Sequence, residues 1–188
     1  MQKGACKMNV ANVKHEYEGP DVISTSGSLH GVPVIVKCNV NTTEFPATAG
    51  SYALQSSAPS SENTAITRLR RAGAVILGSS NMSEWANWRT KNFGDDGWSA
   101  TGGQTYGAYH EKMDPNGSSS GSGVGVDLGM AVLAVGSEVT SFACTTAAAM
   151  SNAGFSVANM MLRRGVVSST PPVGIILWVL SQPSDPYP

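Results

Sequence analysis

Three apolar runs stand out from a chain that is otherwise polar and rich in glycine and serine. The first lies in LHGVPVIVKCNV, residues 29–40; the second is AVIL, 74–77; the third is MAVLAVG, 130–136. Short apolar runs bounded by turn residues predict buried strands, here near 32–37, 74–77 and 130–136. Pro33 falls near the start of the first, where a missing backbone N–H is tolerated. Lys37 then ends that strand between apolar neighbours.

Between the first two runs the period changes. In SSENTAITRLRRAGAVILG, residues 60–78, Ala65, Ile66, Leu69 and Ala72 share one helical face. Ser60, Ser61 and Asn63 are cap candidates, and Gly73 is a natural stop. A helix feeding a buried strand is the mark of an α/β layer arrangement. A second short helix is predicted over Met82–Trp88, a loop over 94–121, and a helical turn or two over Gly123–Leu128, against the preferences of Gly125 and Asp127. Residues 137–149 begin as a polar loop and end in a predicted helix start. The first 28 residues are polar without a period, and the Pro-rich tail SQPSDPYP reads as frayed. There is no internal repeat.

Composition narrows the function classes. The chain has 188 residues, 41% apolar and 13% charged, which suits one packed domain rather than a disordered chain. The net charge is −1 with no basic stripe, which argues against nucleic acid and anionic membrane as partners. Cys6, Cys38 and Cys144 are odd in number and lack C-x-x-C spacing, against a disulfide framework or zinc site and in favour of a reducing, intracellular compartment. No apolar leader segment opens the chain, and the apolar run Ile175–Leu180 is far too short to span a bilayer. No metal or cofactor is expected.

The candidate chemistry sits in DPNGSSSGSGVGVDLG, residues 114–129. A Walker loop fails, because no lysine lies between Met113 and Arg163. The dinucleotide fingerprint fails because Val126 or Leu128 stands at its third glycine. Gly117–Gly121 matches the nucleophile elbow G-x-S-x-G with Ser119 at its centre, and His30 or His110 as possible bases. That motif needs a strand immediately before it, and HEKMDPNG is not one.

A broader match covers residues 29–140 nearly continuously. LHGVPVIVKCN, TAGSYAL, RLRRAGAVILGSSNMSEWA, GWSATGGQ and DPNGSSSGSGV stand in the order of five blocks of the amidase signature family, which the chain resembles. The resemblance implies an α/β fold, a mixed β-sheet surrounded by helices, present here only as an N-terminal core part. The implied organisation is a polar segment at 1–28, a partial amidase signature domain at 29–167, and a divergent tail at 168–188.

The resemblance also implies chemistry. Family members hydrolyse carboxamides through an acyl-enzyme, using a Ser-Ser-Lys triad and no cofactor. A serine attacks the carbonyl, a second serine preceding a cis peptide relays the proton, and a buried lysine is the base. A hydroxyl needs such a base to become nucleophilic, and a lysine serves only when desolvation disfavours its ammonium form. Glycine amides cradle the oxyanion. Lys37 matches the base, with Cys38 where the family has aspartate. Ser118 matches the relay, while Ser119 and Ser120 read as loop hydrogen-bonding residues. The nucleophile position departs from the pattern. The family writes G-T-[DE]-x-x-G-S where this chain writes GSEVTSF, residues 136–142, so Phe142 stands at the nucleophile and Ser141 at its preceding glycine. Ser141 serves only after a one-residue slip, a displacement of roughly 3 Å. A misplacement of about 1 Å can already cost about a hundredfold. The implied function is amide hydrolysis of a small-molecule substrate, weak or lost in this chain. The alternative is a non-catalytic family member that binds a ligand or partner. Uncovered sheet edges imply self-association.

Overall fold

The computed structural model describes residues 27–88, 96–110, 112–138, 153–157 and 174–179. In chain order the described strands and α-helices are β1 (Pro33–Lys37), α1 (Thr64–Arg71), β2 (Val75–Ser80), β3 (Trp98–Ser99), β4 (Gly103–Gln104), α2 (Ser120–Asp127), β5 (Leu133–Glu138), β6 (Ala153–Val157) and β7 (Gly174–Val179). The three apolar runs became β1, β2 and β5 of one sheet, ordered β2-β1-β5-β7-β6, with β3 and β4 forming a separate two-stranded ribbon. β1 runs parallel to β2 and β5, whereas β7 is antiparallel to both β5 and β6, so the sheet is mixed as expected. β7 lies inside the 168–188 segment that the sequence sets apart.

Alternation along β1 builds both faces of the core. Val34 and Val36 point to one side, where they pack with Ile66 of α1, Leu133 and Val135. Ile35 points to the other, with Val126 of α2, Ala131 and Ala134. Burial on both faces is what a parallel strand pair requires. Fully burying each such aliphatic side chain contributes about 1.5–3 kcal/mol.

α1 forms for local reasons. Asn63 caps it through a 2.8 Å bond accepted from Ala65 N. At its end Gly73 N donates to Arg70 O and Ala74 N to Leu69 O, a Schellman closure with Gly73 at φ +94°. Arg70 pairs with Glu62 at 2.9 Å and Glu44 at 2.5 Å, fastening the helix to the loop that follows β1.

α2 forms for the opposite reason. Its sequence SGSGVGVD has poor intrinsic helicity, yet residues Ser120–Val126 are all buried. Small residues let it approach the sheet. A Cβ on Gly121 would stand 2.6 Å from Asn81 N, and one on Gly125 would run into Ile35 Cδ1. Ser122 Oγ bonds Val135 O at 3.1 Å and shares a 2.7 Å hydrogen bond with Ser80 Oγ. The helix therefore starts three residues earlier than the apolar pattern suggests.

The helix expected over Met82–Trp88 is absent. Glu84–Asn87 forms a short 3-10 turn in which Trp85, Ala86 and Asn87 have φ of 50°, 56° and 67°. Long-range bonds hold that backbone: Trp85 N donates to Ala49 O at 3.0 Å, and Glu84 Oε2 accepts from Ala100 N at 2.8 Å. No helix among the described residues is long and apolar enough to cross a membrane.

Candidate active site

Lys37 shares the parity of Ile35, so it leaves the end of β1 toward the α2 side of the sheet. Its side chain is only 1% exposed. There Nζ donates to Ser118 Oγ at 2.8 Å and to Ser137 O at 3.4 Å. Base and relay candidates are thus brought together.

Several groups hold Ser118 in place. The Gly117–Ser118 peptide is cis, on the N-terminal side of the serine rather than after it as expected. Ser118 O accepts from Ser83 N at 3.0 Å. The Ser83 hydroxyl accepts from Gly97 N at 2.9 Å and donates to Asp96 Oδ1 at 3.4 Å. Asp96 Oδ1 also accepts from Asn87 Nδ2. Gly117 is required at this point, since a Cβ would stand 2.6 Å from Ser83 Oγ and collide with the Asp96 carboxylate.

Asn81 ties the surrounding loops together. Its Nδ2 reaches Gly97 O and Gly103 O at 3.0 Å and Thr105 Oγ1 at 2.9 Å. Its Oδ1 accepts from Ser99 Oγ at 2.6 Å, and its backbone carbonyl accepts from Gly121 N at 3.0 Å. Asn81, Ser83 and Asp96 were missed as site residues by sequence reasoning. The available signal was the NMSE stretch following β2, which sits inside one of the matched blocks.

The other serines of the loop bond to backbone. Ser119 Oγ donates to Ser137 O at 3.4 Å, and Ser120 Oγ to Asn116 O at 2.6 Å. Ser119 is buried, whereas His30 and His110 are exposed, and His30 precedes β1 at the end opposite Lys37. The elbow reading gains no support from this placement. Ser141 and Phe142 lie outside the described residues.

Cys38 follows the base in sequence but packs with Ala49 and Met82, against Leu54 and Trp85. Burial pushes its thiol pKa up, opposed by a hydrogen bond to Thr48 and the charge of Lys37. Among the described residues, no group of three His, Cys, Asp or Glu side chains is placed to hold a metal ion. The arrangement places a buried amine in contact with a hydroxyl on a glycine-lined loop that is held by several hydrogen bonds.

The amidase family model matches residues 10–141. A protein of Arthroderma benhamiae whose name assigns it to the amidases is 49% identical over 115 residues, covering 61% of this chain and 19% of that protein. A component of the glutamyl-tRNA(Gln) amidotransferase of Maridesulfovibrio salexigens is 36% identical over 64% of this chain and 23% of its own length. The native peptide amidase of Stenotrophomonas maltophilia superposes with a TM-score of 0.70 and 38% identity, over 80% of this chain and 31% of that one. The chain thus spans about a fifth of the length of these curated relatives and about a third of the solved one.

Proposed function

The chain belongs to the amidase family, and on that premise we propose that it carries the base-and-relay half of a Ser-Ser-Lys site for carboxamide hydrolysis. The observation that supports this most directly is the 2.8 Å contact between the buried Lys37 Nζ and Ser118 Oγ.

In this reading a neutral Lys37 amine takes the proton of Ser118 as Ser118 takes the proton of the attacking hydroxyl. The attacking oxygen bonds the amide carbon, and the C–N bond of the tetrahedral intermediate breaks. The proton returns through Ser118 to the leaving nitrogen. Water then enters by the same path and releases the acid. The substrate is a small molecule or peptide bearing a carboxamide, the class that the peptide amidase relative's name indicates.

Ser141 is the available nucleophile, one residue short of the family position, which Phe142 occupies. Turnover by this chain is therefore absent, or orders of magnitude below that of a complete site. Phe142 also favours a second reading, in which the chain binds an amide ligand or a partner without turning it over.

A fluorophosphonate probe with mapping of the labelled serine tests both. The parent chain is expected to label slowly or not at all, and Ser141→Gly combined with Phe142→Ser to label at residue 142. If the parent hydrolyses an amide and Ser141→Ala abolishes it, Ser141 is the nucleophile and the expected loss is wrong. Labelling of Ser119 instead would overturn the triad assignment.

A further inference from the structure

β1 ends at Lys37, whereas its neighbour β5 continues to Glu138, and the last paired residues are Val36 and Val135. Beyond that pair β5 has no strand partner on its β1 side, while β7 stays paired on the other side as far as Glu138. After Lys37 the chain turns, with Val40 N donating to Lys37 O at 2.9 Å. The side chain of Asn39 takes up the contact the strand gives up. Asn39 Nδ2 donates to Ser137 Oγ at 2.9 Å, and Ser137 Oγ donates to Asn39 Oδ1 at 3.2 Å. Both residues are buried, at 4% and 8% exposure.

The residue so gripped is the one whose carbonyl meets the candidate site. Ser137 O accepts from Lys37 Nζ and from Ser119 Oγ, each at 3.4 Å. Ser137 also stands four positions before Ser141, on the strand from which the nucleophile segment departs.

We infer that Asn39 and Ser137 form a positioning clamp, which fixes the Ser137 carbonyl as the second acceptor that aims Lys37 at Ser118. The inference rests on the reading of Lys37 as the base. Two apolar side chains would fill the same space without desolvating an amide and a hydroxyl. What the polar pair adds is direction, because the hydroxyl donates to and accepts from the same side chain.

The test follows the titration of Lys37 by NMR on the full 188-residue chain with labelled lysine side chains. The signal is assigned through Lys37→Met, and thermal melting confirms that each variant is folded. Asn39→Ala and Ser137→Val are each expected to move the Lys37 midpoint by about half a pH unit or more, in the same direction. The double variant moves it no further, since both remove one coupled unit. Ser137→Thr, which keeps the hydroxyl, retains the parent midpoint. Where Asn39→Ala fails to fold, the near-isosteric pair Ser137→Thr and Ser137→Val decides. An unmoved midpoint in folded Asn39→Ala, or Thr and Val variants that titrate alike, overturns the clamp. The measurement needs no turnover. A moved midpoint without fluorophosphonate labelling of the Ser141→Gly/Phe142→Ser chain leaves the clamp and removes the base-and-relay reading; labelling at residue 142 with an unmoved midpoint does the reverse.

Discussion

Lys37 and Ser118 are 81 residues apart in the chain and meet at 2.8 Å, one from the end of β1 and the other from the loop that opens α2. The lysine is almost completely buried, so the contact forms where an ammonium is poorly solvated. Burying such a group opposes folding unless its partners compensate, which makes Lys37 a candidate for stability given up to function. Lys37→Met is expected to leave the melting temperature unchanged or raise it and, when added to Ser141→Gly/Phe142→Ser, to abolish the fluorophosphonate labelling expected at residue 142. A loss of more than about 2 kcal/mol in chemical denaturation would show Lys37 to be a structural residue instead.

Two glycines of α2 make a graded prediction. A methyl on Gly121 meets the Asn81 backbone N at 2.6 Å and O at 2.7 Å, neither of which can rotate away. A methyl on Gly125 meets only the tip of the Ile35 side chain. Gly121→Ala is expected to cost about 1–3 kcal/mol, as overpacking does. Gly125→Ala costs less, because the gain of about 1 kcal/mol in helix propensity offsets the displacement of Ile35. Urea denaturation of both variants checks the order, and equal losses would contradict it.

Asn63 is fully buried and caps α1 through Ala65 N. Asn63→Ala should cost about 1–2 kcal/mol, while Asn63→Asp, which keeps the acceptor, should recover most of it. Far-UV circular dichroism during thermal melting reads both.

Cys38 supplies the pH prediction. Its thiol is raised from a reference of 9.0 in the folded chain, chiefly by burial. The folded state therefore holds that proton more tightly than the unfolded state. The contribution is fully present below pH 9.0 and is lost as pH rises above it toward the folded value. Denaturation between about pH 8 and 11 should show a steeper loss of stability in the parent than in Cys38→Ala. At neutral pH the folded thiol should resist alkylation. Rapid modification under native conditions would contradict the burial.

Much of the fold was legible from neighbours along the chain. The apolar runs of β1, β2 and β5, the Asn63 cap and the Gly73 stop depend on residues a few positions apart, which is the range of backbone preference and side-chain period. The candidate site was legible at Lys37 and Ser118 only through resemblance to a family, since spacing alone does not bring two residues 81 positions apart together.

The remaining features came from strand order and long-range hydrogen bonds. Glu84–Asn87 turned away from a helix because Ala49, Asp96 and Ala100 take its polar groups. SGSGVGVD became a helix, despite its glycines, because a groove in the sheet admits only small residues. Asn39 reached Ser137, and Asn81 gathered Gly97, Gly103 and Thr105, only once the strands and loops stood side by side. A local pattern specifies which groups a segment must bury or pair. Which distant groups meet that demand depends on packing among all segments at once, and that information is distributed over the whole chain.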